Sequence, residues 1–281
     1  MTMLQNLVAA GDVVIDPHNE RIRVLAYARD SFLALHQELC EEAEHLGLGK
    51  IIVYGRQGDG EVLASAGYRQ EGQIDGFFQG EHAYMHAFFL HPQRGVSAAA
   101  EAAEQVLQLS LAKSGTEASQ ELPEGYRLRA GTSADADQLA SLYKTVFATY
   151  PTPMDDPGYI RKTMEESTYY YVVTHGEQII CAASAEVTPR FGSAELTDCA
   201  THPDHLGKGL LQPLFAVLEE VMRQQGIFYL YSLTRAQSPG MNVTVAKSGY
   251  QYRGRLINNC KIYSGFEDMN IWVKALGPLK E

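Results

Sequence analysis

The chain reads as an α/β protein with a mixed α+β sheet, and three observations predict it. Strand and helix signals alternate along almost all of its 281 residues, which implies helices packed on a sheet. The stretch Ala194–Leu211 (AELTDCATHPDHLGKGLL) runs from an alternating strand through a glycine loop into a long amphipathic run ending near Gln225. Such a junction offers backbone N–H groups and a helix dipole to an anion. The third observation is a duplication. Ser65-Ala66-Gly67-Tyr68-Arg69-Gln70-Glu71-Gly72-Gln73-Ile74 lines up with Lys247-Ser248-Gly249-Tyr250-Gln251-Tyr252-Arg253-Gly254-Arg255-Leu256, both preceded by helix, short strand and helix and followed by two strands.

In chain order, residues 12–27 predict a hairpin around the turn Asp16-Pro17-His18-Asn19. Asp30 or Ser31 caps a helix with Phe32, Leu35, Leu39, Ala43 and Leu46 at helical spacing, closed by Gly47 and Gly49. Ile51–Tyr54 is a short buried strand. A small helix follows over 59–66, then strands over 73–78 and 83–90. After Pro92 the alanine-rich run 98–112 predicts a helix, and the polar run 113–123 has no apolar face to bury. We therefore divide the chain into an N-terminal domain (1–112), a linker (113–123) and a C-terminal domain (124–281). The second domain reads as strand 126–129, helices 134–148 and 157–166, strands 169–174 and 178–186, the opening strand–loop–helix, strand 227–233, helix 240–248, and strands 252–262 and 269–274. The corresponding junction of the first copy, Tyr27-Ala28-Arg29-Asp30, has no glycine loop, so that copy is expected to be structural. Its open sheet edge invites dimerisation.

Composition narrows the function. Hydrophobic residues make up 45% and charged residues 20%, a globular balance. A net charge of −11 would repel a phosphate backbone, which argues against nucleic acid. The start MTMLQNLVAA has neither a basic region nor a sustained apolar core, and no run is long enough to span a bilayer. A soluble cytoplasmic protein is expected. The four cysteines form no C-x-x-C pair and the histidines no ligand spacing, so no metal is expected.

The order of elements in the second half resembles the GNAT superfamily of acyl-CoA-dependent N-acetyltransferases, over roughly 121–276. That family's loop carries Arg or Gln, two residues, Gly, one residue, then Gly or Ala. The matching residues are Leu206-Gly207-Lys208-Gly209-Leu210-Leu211: Gly209 fits, while Leu206 and Leu211 depart, leaving backbone amides and Lys208 to hold a pyrophosphate. Glu195–Thr201, Tyr231-Ser232-Leu233 with Arg235-Ala236, Gly240-Met241-Asn242 and Gly254–Cys260 resemble the β-lysine acetyltransferases. So do Glu71-Gly72 with Gly76-Phe77-Phe78, and Tyr150-Pro151-Thr152-Pro153. The resemblance implies acetyl-CoA as cosubstrate and transfer to the ε-amine of β-lysine in a ternary complex. The alternatives are a GNAT enzyme for another small amine (a polyamine, amino acid or aminoglycoside) and a non-catalytic acyl-CoA-binding module.

The chemistry can be argued alongside the resemblance. A lysine-type ammonium must lose a proton before it attacks a thioester, and a carboxylate can take it. Glu195 is our candidate base and Asp198 the amine-binding carboxylate, with the reverse assignment of the two roles as the alternative. Three apart on a regular strand they would face opposite ways, and a bulge would bring them together. By the resemblance, a bulge here splays the sheet, and the backbone of Cys199, Ala200 and Thr201 holds the pantetheine arm. Asn242 is a candidate cofactor partner. Arg235, then Arg255, are candidates for a substrate carboxylate. Asn258 and Asn259 could orient amines, and Tyr150 could line the substrate side. Val245 stands where many GNAT enzymes carry a tyrosine general acid.

Overall fold

In the computed structural model, residues 2–116, 121–148, 150–262 and 265–277 are described; residues 117–120 of the expected linker lie outside them. The first half runs α1 (Met3–Ala9), β1 (Val13–Asp16), β2 (Arg21–Val24), α2 (Phe32–Leu46), β3 (Lys50–Gly55), α3 (Gly60–Ser65), β4 (Arg69–Phe78) and β5 (Glu81–Phe89), and α4 (Ala100–Leu111) follows it. The second half runs β6 (Tyr126–Ala130), α5 (Ala136–Val146), α6 (Pro157–Glu166), β7 (Thr168–His175), β8 (Gln178–Thr188), β9 (Ser193–Thr201), α7 (Leu211–Gln224), β10 (Tyr229–Arg235), α8 (Pro239–Lys247), β11 (Gln251–Ile262) and β12 (Gly265–Ala275). The α/β reading of the sequence holds. Helix α1 was missed because its seven residues bury only Leu4; its Thr2 and Gln5 close a capping box.

All twelve strands join one sheet, in the order β1-β2-β3-β5-β4-β11-β12-β10-β9-β8-β7-β6. The first ten in that order, from β1 to β8, are a palindrome: β1, β2, β3, β5 and β4 mirror β8, β9, β10, β12 and β11. At the centre Gly72 of β4 pairs antiparallel with Gly254 of β11, and these are equivalent residues of the duplicated stretch. An approximate two-fold axis therefore passes between them. The correspondence extends to irregularities. A bulge separates Gln70 from Gly72 in β4 and Tyr252 from Gly254 in β11. A second register shift separates Ile74 from Phe78 and Leu256 from Cys260. Within it Gly76 (φ 67°) and Asn258 (φ 45°) take the same left-handed backbone.

Close approach explains the central glycines. A Cβ on Gly254 would lie 2.4 Å from the Gly72 Cα and 2.3 Å from the Glu71 carbonyl oxygen, so no side chain fits the seam. Each bulged residue then reaches across. Glu71 accepts from the Ile257 N–H at 3.1 Å, and Arg253 donates to Asp75 at 2.7 Å. Glu71 also accepts from Lys50, whose ammonium donates to the Ile257 carbonyl as well, each at 2.7 Å. The Lys50 and Glu71 side chains are 0% and 2% exposed. One apolar cluster, with Ile52, Tyr54, Phe77 and Met85 from one half and Tyr231, Leu256, Met269 and Ile271 from the other, seals the junction.

Three expectations change. The first half keeps an outer edge only at β1, because β11 covers β4 within the same chain; the other outer strand of the sheet is β6. Helix α4 does not belong with residues 1–90: Leu107 enters the core of the second half, and Arg255 donates to the Ala103 carbonyl. The first half, expected to be structural, also contributes side chains to the lining of the cavity described below.

Candidate functional site

The first strand of the site is bent on purpose. Between β8 and β9, Ala182 pairs with Ala200 and Ser184 with Thr197, so one residue of β8, Ala183, opposes two of β9, Asp198 and Cys199. Asp198 occupies the extra position with φ 51°, a left-handed conformation that aspartate tolerates better than most residues. This is the bulge that would reconcile Glu195 with Asp198, and both carboxylates face one cavity of about 730 Å³. Backbone strain of this kind concentrates at functional sites.

Beyond the bulge the sheet opens. Strands β9 and β10 run parallel but pair only where Ala194 meets Leu230 and Glu195 meets Tyr231. The next carbonyl, of Leu196, accepts from the Ser232 hydroxyl at 2.7 Å instead of from a strand. Ala200 and Thr201 pair with β8, while the backbone of Cys199, Ala200 and Thr201 has no partner on β10 among the described residues, which leaves a groove edge that an extended arm can pair with. The Cys199 thiol donates to the Thr197 carbonyl at 3.4 Å, and burial pushes its pKa well up; such a thiol is a poor nucleophile.

Past β9 the chain makes a short turn at Pro203–His205 and enters the glycine loop. Gly207 (φ 75°) and Gly209 (φ 70°) both take left-handed backbone, which aims their N–H groups differently from a regular turn. Leu210, 3% exposed, anchors the loop in the core, and α7 begins at Leu211. Pro213 sits in the first turn, where no N–H is required. Leu206, 64% exposed, makes no polar contribution. The Lys208 ammonium donates to the Tyr126 hydroxyl at 2.8 Å, which shares a 2.8 Å hydrogen bond with His205.

The two carboxylates are tuned differently. Burial first, then the charges of Glu186 and Asp198, push Glu195 up to about 8, against the opposing charge of Arg23 and a hydrogen bond from Tyr231. Burial also raises Asp198, to about 6, although the Ser184 hydroxyl (2.7 Å) and the Tyr150 hydroxyl (3.1 Å) donate to it. Tyr143 is buried and donates to the Asp198 carbonyl at 2.9 Å. In its deprotonated form, Glu195 beside Asp198 can take a proton from an ammonium that the aspartate holds.

The remaining predicted residues divide. Tyr150, Asn259 and Arg235 line the cavity. Arg235, however, forks Glu267 with bonds of 2.8 and 2.7 Å, so its guanidinium is already engaged. Arg255 is not in the cavity: it donates to Asn270 and to the Ala103 carbonyl on the α4 side. Asn258 is structural, donating to the carbonyls of Arg94 and Val96 from its left-handed position. Asn242 is fully buried and accepts from Thr234, Asn270 and Trp272 while donating to the Arg235 and Ser238 carbonyls. Those bonds saturate its amide, so it holds the start of α8 and has nothing left for a cofactor. Val245 is wholly buried in the second-half core.

Sequence reasoning missed Glu186, which pairs directly with Glu195 across β8 and β9. It also missed the first half's share of the cavity: Asp16, Arg21, Arg23, Tyr54 and Phe77. Extending the duplicated register would have found Arg23. Tyr54 meets Met85 as Leu233 meets Ile271, and two residues earlier Ile52 pairs with Arg23 as Tyr231 pairs with Glu195. Arg23 and Glu195 are therefore equivalent positions of the two copies, facing one cavity. In the first copy the strand-to-helix junction has a 3-10 turn at Arg29–Ser31 and no glycine. No helix is long and apolar enough to cross a membrane, and no group of three or more His, Cys, Asp or Glu is arranged to hold a metal, among the described residues.

The profile of the Acetyltransferase (GNAT) family matches residues 136–241, the segment from α5 through the glycine loop to the start of α8. N-acetyltransferase YodP of Bacillus subtilis (strain 168) is 38% identical over 98% of this chain and 100% of its own. The Beta-lysine N(6)-acetyltransferase of Methanosarcina mazei is 36% identical over 82% of this chain and 92% of its own. That of Methanococcus maripaludis is 30% identical over 96% and 99%.

Proposed function

The chain belongs to the GNAT family of acetyl-CoA-dependent N-acetyltransferases, alongside the β-lysine N(6)-acetyltransferases, and from that premise we propose that it acetylates the ε-amine of β-lysine. The observation that carries this reading is the pairing of Glu195 with Asp198 beside the splayed edge of β9, in a cavity roomy enough for a small diamino acid. The relatives named for that substrate span both halves of this chain, as the cavity lining does.

The cosubstrate supplies a thioester carbonyl. The glycine loop and the first turn of α7 hold its pyrophosphate through the N–H groups of Gly207, Lys208, Gly209, Leu210 and Leu211 and the Lys208 ammonium, with Leu206 at the rim. The free backbone of Cys199–Thr201 pairs with the pantetheine arm and directs an N–H at the thioester oxygen. Asp198, oriented by Ser184 and Tyr150, binds the ammonium. Glu195 takes one proton from the ammonium, the nitrogen lone pair attacks the thioester carbonyl, and as the carbon–sulfur bond breaks the second nitrogen proton passes to the departing sulfur, so that coenzyme A leaves as the thiol. The acetyl group passes directly between the two bound substrates, because Cys199 is too high in pKa to carry it.

The test is a comparison of acetyl-CoA turnover on β-lysine, α-lysine, spermidine and a lysyl peptide. A kcat/KM on β-lysine at least tenfold above the rest is expected; comparable rates on the peptide would overturn the substrate assignment.

A further inference from the structure

We propose that Arg23, contributed by the N-terminal half, is the receptor for the substrate's carboxylate; this rests on the reading of the substrate as a diamino acid. Three arginines line the cavity. Arg235 is engaged by Glu267 in a two-pronged pair. Arg21 is held by Asp16 at 2.9 Å and by the Asn259 carbonyl at 3.0 Å. Arg23 makes no ion pair among the described residues, and its Nε–H is buried without a hydrogen-bond acceptor. A guanidinium left in that state carries an unmet donor, and such a donor costs free energy until something accepts from it. A carboxylate fits a guanidinium in two parallel bonds, a geometry that no lysine reproduces.

The placement also suits a molecule carrying both signs of charge. Arg23 stands on β2, on the opposite side of the approximate two-fold axis from Glu195, and its charge reaches that glutamate. Glu186 on β8, Glu195 and Asp198 on β9 make the ammonium-binding side, and Arg23 with the neutral Tyr54 and Asn259 makes the other. A diamino acid bridges the two; a polyamine leaves Arg23 unmet. Specificity for an acid over a plain amine then arises from the half of the chain that lacks the glycine loop.

The experiment compares the wild-type chain with Arg23→Gln and Arg23→Lys on β-lysine and on 1,4-diaminopentane, which is β-lysine with hydrogen in place of the carboxyl group. The proposal expects Arg23→Gln to lose roughly 100-fold in kcat/KM on β-lysine, chiefly through KM, the scale of one charge-assisted pair. At the high-pH plateau, where Glu195 is deprotonated in every variant, it expects the rate on 1,4-diaminopentane to fall far less than that on β-lysine and Arg23→Lys to recover part of the loss. Retained acetyl-CoA binding by calorimetry reports that the variants are folded. Equal losses on both amines, with a shifted pH profile, would mean that Arg23 acts only through Glu195, and would overturn the assignment to Arg23 alone. A wild-type enzyme that prefers 1,4-diaminopentane to β-lysine would overturn the substrate reading, and the need for a carboxylate receptor with it.

Discussion

Glu195 is a carboxylate whose acidity the fold has weakened, and this has a signed consequence. Its pKa is raised, so the form able to accept a proton is depleted at low pH and accumulates as pH rises through about 8. The wild-type kcat/KM is accordingly expected to climb across that range. Glu195→Gln should lower kcat roughly 10²- to 10⁴-fold and abolish that limb of the pH profile, while acetyl-CoA binding persists. A full rate with an unchanged profile in this variant would remove Glu195 from the reaction. Residue types and spacing were enough to single out Glu195 and Asp198 as candidates, because an acid pair next to a glycine loop has a chemical motive, and both line the cavity. They were not enough to separate Arg235 from Arg23. Both are strand arginines, and only the Glu267 fork, supplied by β12 from 32 residues away, takes one of them out of contention.

At the scale of elements, the strand–loop–helix unit was readable because its parts are contiguous and each obeys a local rule. The loop glycines are its most exacting feature. Gly209 sits at φ 70°, where a β-branched residue is strained. Gly209→Val should weaken acetyl-CoA binding about tenfold or more, the equivalent of about 1.4 kcal/mol of strain, as read by calorimetry, with circular dichroism unchanged. An unaltered affinity would show that the loop backbone does not grip the pyrophosphate. The splay between β9 and β10 was legible only through the family resemblance, since nothing in a single strand says where its neighbour departs. Asn242 marks the opposite failure. At a helix start it resembled a ligand-facing amide, yet five hydrogen bonds with residues spread from Thr234 to Trp272 consume it.

Across the whole molecule, the duplicated stretch Ser65–Ile74 disclosed that the halves were copies but not that they abut through the same residues. That needed the pairing of Gly72 with Gly254, a contact between segments 182 residues apart. The seam's energetics rest on Lys50 and Glu71, which are buried together and tie β3 and β4 to the backbone of β11. Glu71→Ala strands the lysine and should cost about 3–5 kcal/mol in urea denaturation. The double substitution Lys50→Met with Glu71→Leu removes both charges and should recover most of that loss. If the single and double variants melted alike, the pair would not be what binds the halves.

Two identical chains meeting about a dyad must present the same side chain at matching places, so like charge would confront like charge across their shared cleft. Here the mates are fused end to end and free to diverge, which lets one copy keep an acid where the other has a base. The pocket thereby acquires a polarity, a head and a tail, that an assembly of separate equals could not have given it.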